Sequence, residues 1–237
     1  MRFVSFFAGV GGMDFGLERA GWECVGQVEI NPYCRAVLAK HWPDVKRMED
    51  VRDVKGDEFG EFDWLVGGFP CQDVSNAGLR AGISAPRSGL YGEIVRCLRV
   101  VRPIGALLEN VAALLARGMG RVLGDLAEIG YDTEWDCIPA CSVGAPHCRG
   151  RVFIVATNTH EERCLRIRPT PCETWKDSRG QLERLLQRES RMGVPAGSHN
   201  RMADGLPCRV DRIGALGNAV VPQVAEVIGR SIMEGRR

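Results

Sequence analysis

The chain has 237 residues, a formal net charge of +1, and a composition of 45% hydrophobic and 26% charged residues. This balance excludes an intrinsically disordered chain and fits one globular core with room for a small additional segment. The near-zero net charge neither supports nor excludes a nucleic-acid partner, because a local basic cluster does not show in the sum.

In the first half of the chain, short apolar runs alternate with helix-like stretches. Strands are predicted at residues 3–7, 22–29, 63–67, 104–108, 133–139 and 151–156. Helices are predicted at residues 13–20, 32–41, 92–101 and 118–129, the second with Tyr33, Val37 and His41 on one stripe and the last ended by Gly130. Strands that alternate with helices predict an α/β fold, in which a mostly parallel sheet carries helices on both faces.

The second half differs in character after Thr157, where apolar periodicity falls and arginines become frequent up to Arg212. One helix is predicted at residues 175–189 and another at residues 220–233, which would pack back on the sheet. We therefore predict three segments: a core at residues 1–157, a small basic insert at residues 158–204, and a C-terminal return to the core at residues 205–237.

The first ten residues run directly into glycines, so neither a secretory leader nor a membrane span is expected. Ten cysteines are then expected to be reduced thiols of an intracellular protein, serving as core residues, metal ligands or a nucleophile. Cys137, Cys141, His147 and Cys148 lie close in sequence, but they contain no C-x-x-C pair. We expect ordinary core and loop cysteines there, and no metal site.

A glycine-rich turn, Phe-Ala-Gly-Val-Gly-Gly at residues 7–12, follows the first predicted strand and opens a helix. Such a turn lets the backbone approach a ligand closely. Glu29 ends the next strand, where a carboxylate can accept hydrogen bonds from ribose hydroxyls. Asp50 lies at a comparable point one segment later and could bind an adenine amino group. Taken alone, each carboxylate is more readily explained as a solvated loop residue.

A cysteine held by a proline follows another predicted strand, at Pro70 and Cys71. A thiolate there could act as a nucleophile if nearby positive charge lowered its pKa, although Pro-Cys alone would indicate a structural cysteine. Glu109 follows a further strand of the same sheet. Because ligands gather at the carboxyl ends of parallel strands, we expect Cys71 and Glu109 at one edge, as a nucleophile with an adjacent acid.

Two further motifs come later in the chain. Arg149 and Arg151 flank one glycine before a strand, so that one could point to the site and the other to a carboxylate or phosphate, with surface salt bridges as the alternative. Asn218, in Gly-Asn-Ala-Val-Val-Pro, precedes the last helix and could simply cap it.

In this order, Phe-x-Gly-x-Gly-Gly, Pro-Cys-Gln, Glu-Asn-Val, Arg-x-Arg and Gly-Asn-Ala-Val resemble the cytosine-5 DNA methyltransferase family. They cover residues 3–156 and 205–235, and residues 201–218 look like those of short bacterial and phage members. The resemblance implies a Rossmann-like S-adenosylmethionine-dependent methyltransferase fold, with the insert as the target-recognition segment. It implies S-adenosylmethionine as cofactor, S-adenosylhomocysteine as product and double-stranded DNA as partner. A cognate restriction enzyme is a further candidate partner, in the cytoplasm of a bacterial or phage-infected cell.

The resemblance also implies a role for each matching position. Cys71 would be the nucleophile, Glu109 would bind the cytosine edge, and Arg149 and Arg151 would support the base and the intermediate. The cofactor would be bound by Phe7, Gly9, Val10, Gly11, Glu29, Ile30, Asp50, Val51, Gly68, Pro70, Leu90 and Asn218.

The expected chemistry accounts for these residue types. Cytosine C5 is a poor nucleophile until a thiolate adds to C6, and a proton or hydrogen bond from Glu109 at N3 would stabilise the charge that develops. The base must be flipped out of the duplex, and residues 73–89 would close over it. Two alternatives stay open: a related enzyme acting on tRNA, and a catalytically weak DNA-binding regulator, which the short insert keeps open.

Overall fold

The computed structural model describes residues 1–69, 89–160 and 219–235. In chain order its strands and helices are β1 Arg2–Phe6, α1 Gly12–Arg19, β2 Glu23–Val28, α2 Pro32–His41, β3 Lys46–Met48, β4 Trp64–Gly68, α3 Gly89–Val101, β5 Gly105–Val111, α4 Leu114–Arg117, α5 Met119–Glu128, β6 Tyr131–Pro139, β7 Gly150–Asn158 and α6 Pro222–Glu234. Two short 3₁₀ turns lie at Val51–Asp53 and Ala140–Val143. No helix in the described part is long and apolar enough to cross a lipid bilayer.

The strands form one seven-stranded sheet in the order β3-β2-β1-β4-β5-β7-β6. The first five strands run parallel to one another, whereas β7 runs antiparallel to both β5 and β6. The predicted mostly parallel sheet is therefore confirmed. From β1 the chain builds outward to β2 and β3, and it then returns to build the other side from β4. This change of direction between β1 and β4 opens a crevice at their carboxyl ends, which is where ligands bind in such sheets.

Both faces of the sheet are covered by helices, as predicted. Alternate residues of each central strand enter opposite layers: Phe3 and Trp64 lie in one core cluster, Val4 and Leu65 in the other. The first layer takes buried side chains from α1, α2 and α6, and the second from α3 and α5. Helix α6 is fixed to the first layer by its buried face and by the Trp22 indole, which donates to the carbonyl of Gly229 at 3.2 Å.

Several details differ from the sequence-based predictions. Helix α3 begins at Gly89 rather than at residue 92, β5 continues to Val111 so that Glu109 lies within it rather than after it, and α4 was not predicted. Helix α2 has the predicted bounds, but it buries Cys34 and Leu38 rather than the stripe through Tyr33, Val37 and His41. The prediction was one residue out of phase because the packing partners, not the residue types, select the buried side. Strand β3 was not predicted, since it has only three residues and two of them are basic. It exists because it pairs with β2.

Candidate active site

The crevice is bordered by the ends of four parallel strands. Phe6 of β1 pairs with Gly67 of β4, and Gly68 of β4 pairs with Glu109 of β5. The register brings the glycine-rich turn that follows β1 and the buried acid of β5 to the same edge of the sheet. Cys71 comes three residues after the end of β4, and it lies outside the described residues together with Pro70 and Asn218.

The turn after β1 has an unusual backbone. Phe7 has a φ of 54° and Gly9 a φ of 56°, so two of three successive residues occupy the left-handed region. For phenylalanine this conformation costs free energy, and such residues concentrate at functional sites. A Cβ built on Gly9 would meet no atom within 4 Å. The turn therefore presents bare backbone to open space, with Val10 and Gly11 leading into α1.

Glu29 connects this turn to the end of β2. One carboxylate oxygen accepts from the backbone N–H of Gly9 at 2.7 Å, and the other accepts from Asn31 at 2.8 Å. A carboxylate has about four acceptor positions, so each oxygen keeps room for a hydroxyl donor. Beside it Ile30 is 64% exposed, although it is a large apolar side chain. A hydrogen-bonding carboxylate next to an exposed apolar surface suits a ribose with an attached flat base.

Asp50 is engaged by its neighbour in the described structure. Its carboxylate caps the turn Val51–Asp53 and pairs with the Arg52 side chain, hydrogen bonds that lower the pKa of Asp50 to about 2. Asp50 is thus ionised at neutral pH. Val51 is 3% exposed and belongs to the core, and its carbonyl accepts from the Arg96 side chain, so it lies beneath Asp50. Leu90, at the start of α3, is half-buried against the same core.

Glu109 and Arg151 form a buried ion pair at the base of the crevice. Glu109 is 7% exposed, and its Oε1 lies 2.8 Å from Nε of Arg151. Burial raises the pKa of Glu109 to about 7, although the positive charges of Arg151 and Arg149 oppose the rise. The carboxyl therefore exchanges its proton near neutral pH, as a general acid requires.

Gly68 makes room for this carboxyl. A Cβ at position 68 would lie 2.7 Å from Oε2 of Glu109, far closer than a carbon atom can approach. The acid therefore lies directly against the last residue of the strand that leads to Cys71.

Asn110 is a residue whose role the sequence analysis did not identify. It is 2% exposed, and its side-chain amide donates to the carbonyl of Phe69 at 3.2 Å. The Phe69 ring also packs on Tyr91, with the ring centroids 5.0 Å apart. Two contacts thus hold the residue that precedes Pro70 and Cys71. In the sequence, the signal that could have identified this role was an amide side chain directly after the acid at the end of a predicted strand.

The two arginines have different partners. Arg151 pairs with Glu109, whereas Arg149 donates to the carbonyl of Ala219 in the segment before α6. Burial and the charge of Arg151 lower the pKa of Arg149. The sequence predicted that one of the two arginines would point toward a carboxylate or phosphate. Arg151 is that residue, and its partner is the Glu109 carboxylate. The last helix begins at Pro222 with Val221 as its N-cap residue, so Asn218 precedes the cap position by three residues.

The remaining candidate functional groups are the cysteines and possible metal ligands. Within residues 1–69, 89–160 and 219–235 no group of three or more His, Cys, Asp and Glu side chains is arranged to hold a metal ion. In the same ranges Cys24, Cys34 and Cys97 are buried, and Cys137, Cys141 and Cys148 are half-buried.

Comparison with known structures shows a shared fold. The methyltransferase Dnmt2 of S. pombe matches with a TM-score of 0.65 at 16% identity, covering 99% of each chain. The Entamoeba histolytica methyltransferase EhMeth matches with a TM-score of 0.59 at 18% identity, covering 68% of this chain and 54% of that one. These likenesses confirm the Rossmann-like methyltransferase fold.

Comparison of sequences identifies the family. The chain is 34% identical over 165 residues to the type II methyltransferase M2.BsuMI of Bacillus subtilis strain 168, covering 66% of this chain and 42% of that protein. It is 34% identical over 165 residues to M.BanI of Aneurinibacillus aneurinilyticus, another type II methyltransferase, covering 65% and 38%. The chain spans about two fifths of the length of these relatives. The family model for C-5 cytosine-specific DNA methylase matches residues 1–204, and the chain therefore belongs to that family.

Proposed function

We propose that this chain is a DNA cytosine-5 methyltransferase, which transfers a methyl group from S-adenosylmethionine to C5 of a flipped-out cytosine through a covalent adduct with Cys71. The observation that carries the proposal is the buried pair of Glu109 and Arg151 beside Gly68. It sets a carboxyl that is protonated near neutral pH against the strand that leads to the cysteine. A nucleophile with an adjacent acid is what addition to a pyrimidine ring requires.

The residues around the crevice fit the proposed cofactor. The turn at Gly9 has open space above its backbone, Glu29 has free acceptor positions, and Ile30 offers an exposed apolar surface. In the proposal Glu29 holds the ribose hydroxyls, Ile30 packs on the adenine, and Asp50 and Val51 contact the adenine edge. The remaining cofactor contacts are assigned to Phe7, Gly9, Val10, Gly11, Gly68, Pro70, Leu90 and Asn218. When bound, S-adenosylmethionine supplies the methyl group and leaves S-adenosylhomocysteine.

In the proposal, Cys71 and Glu109 activate the cytosine for methylation and release it afterwards. The Cys71 thiolate adds to C6, which breaks the aromaticity of the ring and gives C5 the electron density of an enamine. Protonated Glu109 gives its proton to N3, where negative charge would otherwise develop. After methylation, loss of the C5 proton to water expels Cys71 as a thiolate and restores the ring, and the N3 proton returns to Glu109.

Arg151 and Arg149 have different roles in the proposed reaction. Arg151 is bonded to Glu109 through Nε and fixes the carboxyl in place, and its Nη1 donates to the carbonyl of Gly150. Arg149 ties the segment before α6 to β7 through Ala219. In the proposal Arg151 supports the base and the intermediate directly, whereas Arg149 contributes charge and holds the C-terminal segment against the site.

Double-stranded DNA is the proposed substrate, in line with the family to which the chain belongs. Because a thiolate cannot reach C6 inside a duplex, the target base must leave the stack. Residues 73–89 would close over the flipped base, and the basic segment 158–204 would contact phosphates and bases. The type II relatives suggest a role beside a cognate restriction enzyme, in the cytoplasm of a bacterial or phage-infected cell.

The direct test is transfer of label from tritiated S-adenosylmethionine to plasmid DNA or to tRNA, with wild-type protein and a Cys71→Ala variant side by side. Label in DNA that disappears in the variant supports the proposal. Label only in tRNA would indicate the related RNA-modifying activity instead. Cofactor and DNA binding without label in either substrate would indicate a catalytically weak DNA-binding regulator.

A further inference from the structure

A chain of buried polar side chains lies behind the crevice. Ser5 Oγ donates to Oδ1 of Asp14 at 2.6 Å, and the Gln27 side-chain amide donates to Oδ2 at 2.8 Å. The Gln27 carbonyl in turn accepts from Arg47 at 3.0 Å. Asp14 and Gln27 are fully buried, and Ser5 is 2% exposed. The chain of hydrogen bonds crosses from α1 through β1 and β2 to β3.

Each member lies just behind a residue assigned to the cofactor. Ser5 comes two residues before Phe7, and Gln27 comes two residues before Glu29. Arg47, in β3, comes three residues before Asp50. Asp14 is in the first turn of α1, directly after the glycine-rich turn. The hydrogen bonds therefore join the bases of the three loops whose tips form the adenosine side of the crevice.

Asp14 is a costly residue at this position. A carboxyl taken fully out of water loses its hydration, and burial raises the pKa of Asp14 to about 6 although both hydrogen bonds oppose the rise. The layer around it is otherwise apolar, with Met13 and Leu17 as neighbours on the same helix. An apolar side chain would fill such a place at lower cost. A buried acid with two converging donors is instead suited to fix a geometry.

The contact that depends on this geometry is visible at the surface of the crevice. The Gly9 N–H lies 2.7 Å from the Glu29 carboxylate. This hydrogen bond requires that the turn after β1 and the end of β2 keep their relative positions along the strand direction. β1 and β2 are register partners here, with Ser5 opposite Gln27. At the strand end the backbone N–H of Ala8 also donates to the carbonyl of Val28 at 3.2 Å, so the network adds to the strand pairing from behind.

We propose that Asp14 is a positioning residue for the cofactor: by joining Ser5 and Gln27 it sets the spacing between the Gly9 turn and the Glu29 carboxylate. The inference rests on the proposed function, because it assumes that this crevice binds S-adenosylmethionine. Asp14 itself is fully buried, so its effect is transmitted through the two loops.

The test uses binding of S-adenosylhomocysteine, measured by calorimetry on the full chain, with thermal unfolding of the free protein beside it. Asp14→Asn replaces one acceptor by a donor, so either the Gln27 amide faces a second donor or the Ser5 hydroxyl must turn round to accept; because the network is disturbed in both cases, we expect Kd to rise about tenfold or more. Glu18→Gln, on the same helix, is the matched control and should leave Kd unchanged.

A second variant separates positioning from mere stability. In Asp14→Asn combined with Gln27→Glu, the new amide can donate to the new carboxylate, which still accepts from Arg47, so the hydrogen-bond chain is restored with its polarity reversed. We expect Kd to return to within about threefold of wild type. If Asp14→Asn does not fold, Ser5→Ala removes one donor with little change in volume and takes its place.

The outcomes are distinct. A variant that melts earlier but, well below its melting temperature, binds S-adenosylhomocysteine as wild type does would overturn the positioning role. Recovery of thermal stability in the double variant without recovery of Kd would do the same. Hydrogen exchange at residues 7–12 of the free protein should quicken in Asp14→Asn, which needs no ligand. Wild-type protein that binds no cofactor would contradict the proposed function itself.

Discussion

Gly68 and Glu109 are register partners on adjacent parallel strands, and the Glu109 carboxyl fills the space where a side chain at position 68 would begin. The glycine is thus required by the neighbouring Glu109 carboxyl rather than by its own backbone conformation. The same contact sets the distance between the acid and the strand leading to Cys71.

Gly68→Ala should therefore impair catalysis. The added methyl group would displace the Glu109 carboxyl and strain its bond to Arg151, and we expect the methylation rate to fall by about tenfold or more. Single-turnover rates on a DNA substrate measure this effect. Gly92→Ala is the control, because a Cβ there meets no atom within 4 Å. Equal rates for Gly68→Ala and wild type would contradict the assigned contact.

Glu109→Gln should lower the rate by about a hundredfold or more, since the amide cannot give up a proton to N3. The pH profile gives a sharper test. Wild-type Glu109, with a pKa of about 7, is protonated below that value and loses its proton above it. The rate of base activation should thus fall as the pH rises past about 7. A descending limb that persists unchanged in Glu109→Gln would assign it to another group.

Cys71 can be tested with 5-fluorocytosine in a target site. Fluorine at C5 cannot leave as a proton, so the adduct formed in the presence of S-adenosylmethionine should survive denaturation and migrate as a protein–DNA complex in a denaturing gel. Cys71→Ala should give no such band, and unmodified cytosine should give none with wild type. A stable complex with the alanine variant would refute the assignment.

Trp22 and Trp64 provide a matched pair for the docking of α6. Their rings are 5.2 Å apart in one core layer, but only the Trp22 indole has an acceptor, the carbonyl of Gly229. The buried Trp64 N–H has none among the described residues. Trp22→Phe should lower the free energy of unfolding by about 1 kcal/mol more than Trp64→Phe. Urea denaturation measures both, and the reverse order would contradict the role of this bond in holding α6.

Asp14 should leave a signature in the pH dependence of stability. Its pKa is about 6 in the folded protein against 3.8 for an ordinary aspartate, so the folded state holds more protons between these values. The free energy of unfolding contributed by Asp14 therefore falls as the pH rises from about 4 to 6, by about 3 kcal/mol. Asp14→Asn should remove this part of the slope, whereas Glu18→Gln should keep most of it, because the charge of Glu18 raises the pKa of Asp14 less than burial does. Parallel curves for wild type and Asp14→Asn would contradict the burial of an ionisable group there.

The sheet architecture and the family of this protein could be predicted from its sequence alone. Apolar runs of strand and helix length, with glycine at Gly130 to end a helix, predicted the α/β sheet, because periodicity and turn chemistry act over a few neighbouring residues. The order of the motifs around Gly9, Cys71, Glu109 and Arg151 identified the family. The assignment of Cys71 as nucleophile depends on those motifs, because Cys71 lies between the described residues Phe69 and Gly89.

Tertiary structure decided which side chains meet. Arg149 and Arg151 are equivalent in the sequence, yet the register of β7 on β5 brings Arg151 to Glu109, and Arg149 finds Ala219. Asp14 has the sequence features of a solvated acid in a first helical turn, and only the packing of α1 on the sheet buries it between Ser5 and Gln27. Such contacts join residues that are distant along the chain, so they depend on strand register and helix docking. Local sequence does not encode either of these by itself.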